Sequence, residues 1–300
     1  MNCKNWTAAL ACCLAVCLAG AAFGQDSARA DFYSGGAPHA EALGWHIGCQ
    51  AYSFNRFTFY EAIDKTASMG LHCIEAYPGQ KLSAEMPDKV FDHSMPAELQ
   101  QIVLDRLKAS KVKLMNYGVV GLPNDEAECR KIFDFAKAMG IETIVSEPTE
   151  RIFDLLDKLT EEYGINVALH NHPKPSRYWD PAKVVMATKG HSKRIGACAD
   201  TGHWMRSGIN PLDAVKMLEG RIISFHIKDL NKYGTGGEHD VPWGQGEADI
   251  TAILAEMHRQ GFKGVFSAEY EHNWDNSVPD IAEGVRYVDG VAAALAQAGK

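Results

Sequence analysis

The chain predicts a single (β/α)8 barrel. Eight short apolar runs rich in β-branched and aromatic residues recur between residues 46 and 271, and helical patterns lie between them. Eight such units in about 250 residues match a closed barrel. The alternative, an open doubly wound sheet, usually carries a glycine fingerprint after its first strand; here that run leads into "SFNRFTF".

The strand-like runs are "HIGCQAY" (46–52), "HCIEAY" (72–77), "VKLMNYGVV" (112–120), "TIVSE" (143–147), "NVALHNH" (166–172), "IGACAD" (195–200), "IISFHIKD" (222–229) and "GVFSAEYE" (264–271). A helix is expected over 58–70, stopped by Gly70, and another over 124–140, capped by Asn124 with acids in its first turn. Others are expected over 149–164 from Thr149, over 210–220 with Asn210 as cap and Pro211 at the first helical position, and over 249–261 from Asp249. The last runs from about 279 to 296. Long connections follow strand two (77–95) and strand seven (230–248), on the face where barrels keep their active sites.

Three hundred residues with 46% hydrophobic and 23% charged side chains are those of a globular protein. The net charge of −8 argues against a nucleic-acid or anionic-membrane surface as the main partner. Lys4 and the apolar run over 7–24 read as an export signal cut before Gln25, with Ala22 and Gly24 at the small-residue positions. Residues 1–24 are therefore a signal, 25–44 a linker and 45–300 the barrel of a periplasmic or secreted protein, with no membrane contact after cleavage. An oligomer stays open. Four cysteines belong to the signal; Cys49, Cys73, Cys129 and Cys198 remain, and with no CxxC pair they read as small buried hydrophobes.

Every strand brings a polar group to its C-terminal end: Gln50, Glu75, Asn116, Glu147, His170 with His172, Asp200 with His203, His226 with Lys228, and Glu269 with Glu271. Apolar packing does not require this. Glutamates, an aspartate and a histidine from strands four, six, seven and eight would surround one point at the mouth and suit a divalent cation such as Mn²⁺, Mg²⁺ or Co²⁺, with Zn²⁺ an alternative. Without a cation the carboxylates would repel one another. Glu269 and Glu271 share a face, so spacing alone does not choose between them. Glu75 is a substrate contact or a partner of Lys81. Lys228 faces inward if His226 does, towards an oxyanionic substrate atom. In the glycine-containing tract 236–249, His239 and Trp243 cover the substrate or pack the loop.

The motifs "VSEP", "ADTGHW", "FHIKDL", "PWGQGEAD" and "SAEYE" resemble the sugar phosphate isomerase/epimerase family of xylose-isomerase-like TIM barrels, related to tagatose 3-epimerase. The resemblance runs from about Trp45 to the C-terminus. It implies one Mn²⁺-type ion on Glu147, Asp200, His226 and Glu269, with Glu147 and Glu269 as the acid/base pair. Glu75, His170, His172, His203, Lys228 and His239 become candidate substrate contacts. Epimerases of this group usually offer an arginine after the strand-seven histidine; this chain has Lys228 and His239 and no arginine in 222–258. The related endonuclease IV needs histidines where this chain has Glu75 and Asn116, so DNA repair is not expected. The chemistry expected is proton abstraction next to a carbonyl through an enediolate intermediate, in a sugar isomerase or epimerase. Alternatives are a lyase or hydratase on 3-keto-glycosides and a non-catalytic sugar-binding barrel displaying Trp204, Trp243 and Trp274.

Overall fold

The computed structural model describes residues 32–298. The expected export signal, and residues 25–31 of the expected linker, lie outside them. Eight parallel strands close in chain order: β1 (Trp45–Gln50), β2 (Cys73–Ala76), β3 (Lys113–Tyr117), β4 (Thr143–Ser146), β5 (Asn166–His170), β6 (Ile195–Asp200), β7 (Ile222–Ile227) and β8 (Gly264–Ala268). Pairing of β8 with β1, Ala268 opposite Cys49, leaves the barrel without an edge. Each strand coincides with one apolar run, β1 beginning one residue ahead of its run at Trp45. The strands carry near-continuous apolar sequence because both of their faces are covered. Inside the barrel, Cys73, Met115 and Val265 form one small cluster and Val145, Ala168 and Cys198 another. Outside, a continuous core runs beneath the helices, with the rings of Phe225 and Phe266 stacked at 4.7 Å.

Helices form where local chemistry starts them. Phe59–Ser68 opens on a reciprocal capping box between Thr58 and Glu61. Glu126–Ala138 is capped by Asp125, which accepts from the Glu128 N–H; the sequence had pointed to Asn124, one residue early. The helix expected from Thr149 begins as a 3-10 turn, Glu150–Ile152, and continues as Phe153–Tyr163. Asn210 and Asp249 cap Pro211–Met217 and Ile250–Arg259. The last helix is Val278–Ala298. Pattern reading passed over Ala97–Ala109, Pro181–Ala187 and Thr201–Arg206. The last of these starts on the residue that ends β6, so no loop marks its start.

Residues 38–42, within the expected linker, form a helix whose Ala40 is fully buried. The Asp289 carboxylate accepts from the His39 and Ala40 N–H groups at 2.7 and 3.1 Å, which ties this segment to the last helix. The four described cysteines are free and buried, and burial pushes the Cys49 thiol up to about 12. No helix among the described residues is long and apolar enough to cross a membrane.

Both long connections fold into two-stranded ribbons, Gln80–Lys81 with Val90–Phe91 and Asp229–Leu230 with Asp240–Val241. The second is clamped at its base. The buried Asp229 carboxylate accepts from the N–H groups of Gly244, Gly246 and Ala248 at 2.8, 2.9 and 3.0 Å. A side chain at Gly246 would collide with that carboxylate and with the Leu230 carbonyl. Replacing Asp229 by alanine strands three N–H groups. It is expected to cost about 1–3 kcal/mol in urea denaturation and to open 231–247 to limited proteolysis. Unchanged stability and cleavage would show that the clamp does not hold the loop.

Candidate metal centre at the barrel mouth

Parallel register delivers the polar strand ends to one level. Asp200 lies opposite His226, and His226 opposite Ser267, so β6, β7 and β8 present neighbouring positions to the same funnel. Glu147, Lys228 and Glu269 are the first residues beyond β4, β7 and β8. His170 and Asp200 end β5 and β6.

Two histidines are each fixed through one nitrogen by a carboxylate. His226 Nε2 lies 2.7 Å from Glu75 Oε1. Glu75 is fully buried and also accepts from Gln50, Asn116 and Ser267, so both its oxygens are occupied. That places Glu75 behind His226, away from substrate and from Lys81. His170 Nδ1 lies 3.1 Å from Glu147 Oε1, which also meets His172 Nδ1. The second nitrogens turn to the funnel, where His226 Nδ1 lies 3.1 Å from Glu269 Oε2 and His170 Nε2 lies 3.6 Å from Asp200 Oδ2, neither aligned as a hydrogen bond. Ligand atoms of His170, Asp200, His226 and Glu269 all lie within 4.8 Å of one another. Carboxylate-held imidazoles turning a second nitrogen to a common point with two carboxylates suit a divalent cation.

Asp200 divides its oxygens. Oδ1 caps the following helix by accepting from the His203 N–H at 2.7 Å. Oδ2 faces the funnel, 2.9 Å from Lys228 Nζ and 3.6 Å from both His170 Nε2 and His203 Nε2. Asn171 braces the Asp200 peptide from both sides, donating to its carbonyl and accepting from its N–H.

Lys228 lies at the centre of this set. It is 1% exposed, and its ammonium is 2.9 Å from Asp200, 2.7 Å from Glu269 and 3.3 Å from Glu271. Gly202 makes room for it: a Cβ there would fall 2.6 Å from the Lys228 Cβ. Burial opposes the lysine charge, but Asp200, Glu269 and Glu271 outweigh it and hold its pKa well above the usual range. Burial likewise opposes ionisation of the two acids. The Lys228 ammonium nonetheless keeps Asp200 well below its ordinary value, and Lys228 and His226 do the same for Glu269. Burial would raise Glu147, yet hydrogen bonds from His170 and His172 draw it down to about 2. Burial, reinforced by Lys228 and His170 against the pull of Asp200, pushes His203 well below the usual histidine range.

A cavity of about 430 Å³ opens above the set, lined by Gln50, Tyr52, Tyr77, Pro78, Gly118, Val119, His172, His203, Glu269 and Glu271. Smaller cavities of about 120 and 160 Å³ sit at the opposite end of the barrel, beside His46, His72 and Glu142, away from these groups.

Of the four ligands expected from sequence, Asp200, His226 and Glu269 meet in one group with His170, and Glu147 meets His170 and His172 in a second group that shares His170 with the first. The choice between the strand-eight glutamates resolves: Glu269 enters the cluster, while Glu271 pairs with Arg206 at 2.8 Å on the cavity wall. His239 stacks on His272 and is not among the cavity-lining residues. Trp243 is buried, donates to the Ile227 carbonyl and packs on Gly284, so it fills the loop base.

Arg206 was not anticipated. It projects from the helix that Asp200 caps and contacts Glu271, Asp240 and Glu238, supplying from β6 a guanidinium absent from 222–258. The 200, 203, 206 spacing along one short helix was the available signal.

The model of the family described as xylose isomerase-like TIM barrel matches residues 63–290. Among curated proteins, no match is found. An uncharacterized protein from Parabacteroides distasonis is 30% identical, with a TM-score of 0.67 over 82% of this chain and 98% of that one. A D-tagatose 3-epimerase-like protein is 18% identical, with a TM-score of 0.63 over 85% of this chain and all of the other. A xylose isomerase-like TIM barrel protein from Mycobacterium smegmatis, solved with magnesium, is 14% identical with a TM-score of 0.65, covering 85% of this chain and 98% of that one.

Proposed function

The chain belongs to the xylose isomerase-like TIM barrel family, and on that premise we propose that it is a divalent-metal-dependent sugar isomerase or epimerase. The observation that carries the proposal is the pair of carboxylate-held imidazoles whose second nitrogens converge with the carboxylates of Asp200 and Glu269. His170, Asp200, His226 and Glu269 would hold the ion, and two nitrogens with two oxygens suit Mn²⁺ while admitting Co²⁺ or Zn²⁺. Bound there, the cation supplies Lewis-acid polarisation of a sugar carbonyl.

The chain's own residues supply the rest. Glu147 and Glu269 stay ionised because neighbouring cations hold them so, and either can accept a proton from the carbon beside the carbonyl. They approach from β4 and β8, across the barrel from one another, which suits removal on one face of the sugar and return on the other. His172, half exposed and bonded to Glu147, links that acid to solvent. His203, kept neutral and lining the cavity, binds hydroxyl oxygens, while the Lys228 ammonium, buried among three carboxylates, holds Asp200 and Glu269 in place. Export through the signal read at residues 1–24 would direct this chemistry to unphosphorylated sugars.

The test pairs calorimetric titration of the chelated protein with Mn²⁺ and incubation of the loaded protein with free ketoses in D₂O. Expected are one ion per chain and solvent deuterium at a retained carbon next to the carbonyl, lost on chelation. Failure to bind any divalent ion, or turnover indifferent to chelator, refutes the proposal.

A further inference from the structure

The cavity above the metal centre is divided. His172, His203, Glu269 and Glu271 line one side, whereas Tyr52, Tyr77, Pro78 and Val119 line the other. The chemistry described above uses only the first side. On the second, Tyr52 is 39% exposed, and it meets two other rings edge to face: Tyr77 at 5.3 Å and 78°, and Trp274 at 5.9 Å and 89°.

These rings come from three separate places: the 3-10 turn after β1, the end of β2 and the loop after β8. Each is anchored. The Tyr52 N–H donates to Gln50 Oε1 at 2.9 Å. The Trp274 loop is closed by the Asn276 N–H donating to the Asn273 carbonyl, and Arg56 reaches across to Asp275 at 2.6 Å. Edge-to-face packing leaves ring faces unstacked, and an aromatic face attracts the weakly positive C–H groups of a flat apolar surface. A fixed aromatic wall beside a polar reaction centre has the make-up of a two-part ligand site.

We propose that Tyr52, Tyr77 and Trp274 form an outer subsite, so that the substrate is a glycoside whose reacting sugar keeps a carbonyl. One sugar reacts at the Glu269 side while a second ring, a pyranose or an aryl aglycone, stacks on the aromatic wall. The inference rests on the reading of the polar side as the reaction centre, and it goes beyond that reading by assigning the substrate a second ring.

The test measures binding to the Mn²⁺-loaded full-length protein by calorimetric titration. The probes are methyl β-D-glucopyranoside, with one ring, and cellobiose and phenyl β-D-glucopyranoside, each with two. At least one two-ring probe is expected to bind about tenfold more tightly than the methyl glycoside; which of them does so distinguishes the pyranose from the aryl ring. Tyr52→Ala and Trp274→Ala should each reduce that preference to within about twofold. Trp274→Phe should retain most of it, and an unchanged Mn²⁺ affinity reports that the variants are folded. Equal binding of all three probes, or a preference that survives both alanine variants, overturns the proposal. If Mn²⁺ fails to bind but the preference persists, the metal reading fails and the subsite stands; if Mn²⁺ binds and no preference exists, only the subsite fails.

Discussion

Lys228→Met is expected to destabilise the chelated protein by about 3–5 kcal/mol, because it leaves Asp200 and Glu269 buried without their cation. His226 still faces Glu269 at 3.1 Å, but among the described residues no other ammonium or guanidinium reaches Asp200 or Glu269. Arg206 is directed to Glu271, Asp240 and Glu238, and His203 is held neutral. Methionine keeps most of the lysine's volume, so lost packing contributes little. Mn²⁺ should restore most of the lost stability, since a divalent ion on the same oxygens replaces the missing charge. The variant should also bind the ion more tightly than the parent, whose ammonium already lies 2.9 and 2.7 Å from two of the donor atoms. Urea denaturation with and without chelator, together with calorimetric titration, measures both effects. A chelated variant within about 1 kcal/mol of the parent would mean that the carboxylates do not depend on Lys228.

Glu269→Gln is expected to lower kcat by at least ~100-fold while leaving the fold in place. The amide keeps the shape of the side chain but loses the charge that faces His226 and Lys228 and the capacity to take a proton. Two functions are lost at one atom, so Mn²⁺ affinity should fall in parallel. Glu271→Gln, two residues on, is the control: it disturbs the Arg206 pairing on the cavity wall and should leave metal affinity nearly intact. Steady-state kinetics, calorimetry and thermal melts on both variants separate the roles. Parent-like turnover in Glu269→Gln would falsify the assignment of this carboxylate to the reaction.

The barrel was legible because each strand is a compact apolar run bounded by turn residues, a pattern that needs no long-range information. Helix starts were legible where a side chain caps locally, as at Asn210 and Asp249, and slipped by one residue where Asn124 and Asp125 are equally good caps. Thr201–Arg206 escaped because one residue ends a strand and caps a helix at once. At the site, the rim could be read from strand ends, since a parallel barrel aligns them. The order of contacts within the rim could not. Whether Glu147 or His170 faces the common point depends on which nitrogen of His170 is already bonded, a relation between β4 and β5 that no spacing encodes. Glu75 could not be placed for the same reason: its four donors come from four strands. Arg206 and the aromatic wall were hidden differently, because their members meet only through folding.

The fit between Gly202 and Lys228 ties two positions that are distant in the chain into one choice. A methyl group at 202 would lie 2.6 Å from the lysine Cβ, so any side chain there forces the lysine stem or the start of its own helix to shift. The barrel mouth keeps a cation of its own only while position 202 stays empty. A substitution at 202 is therefore a substitution at 228 by proxy.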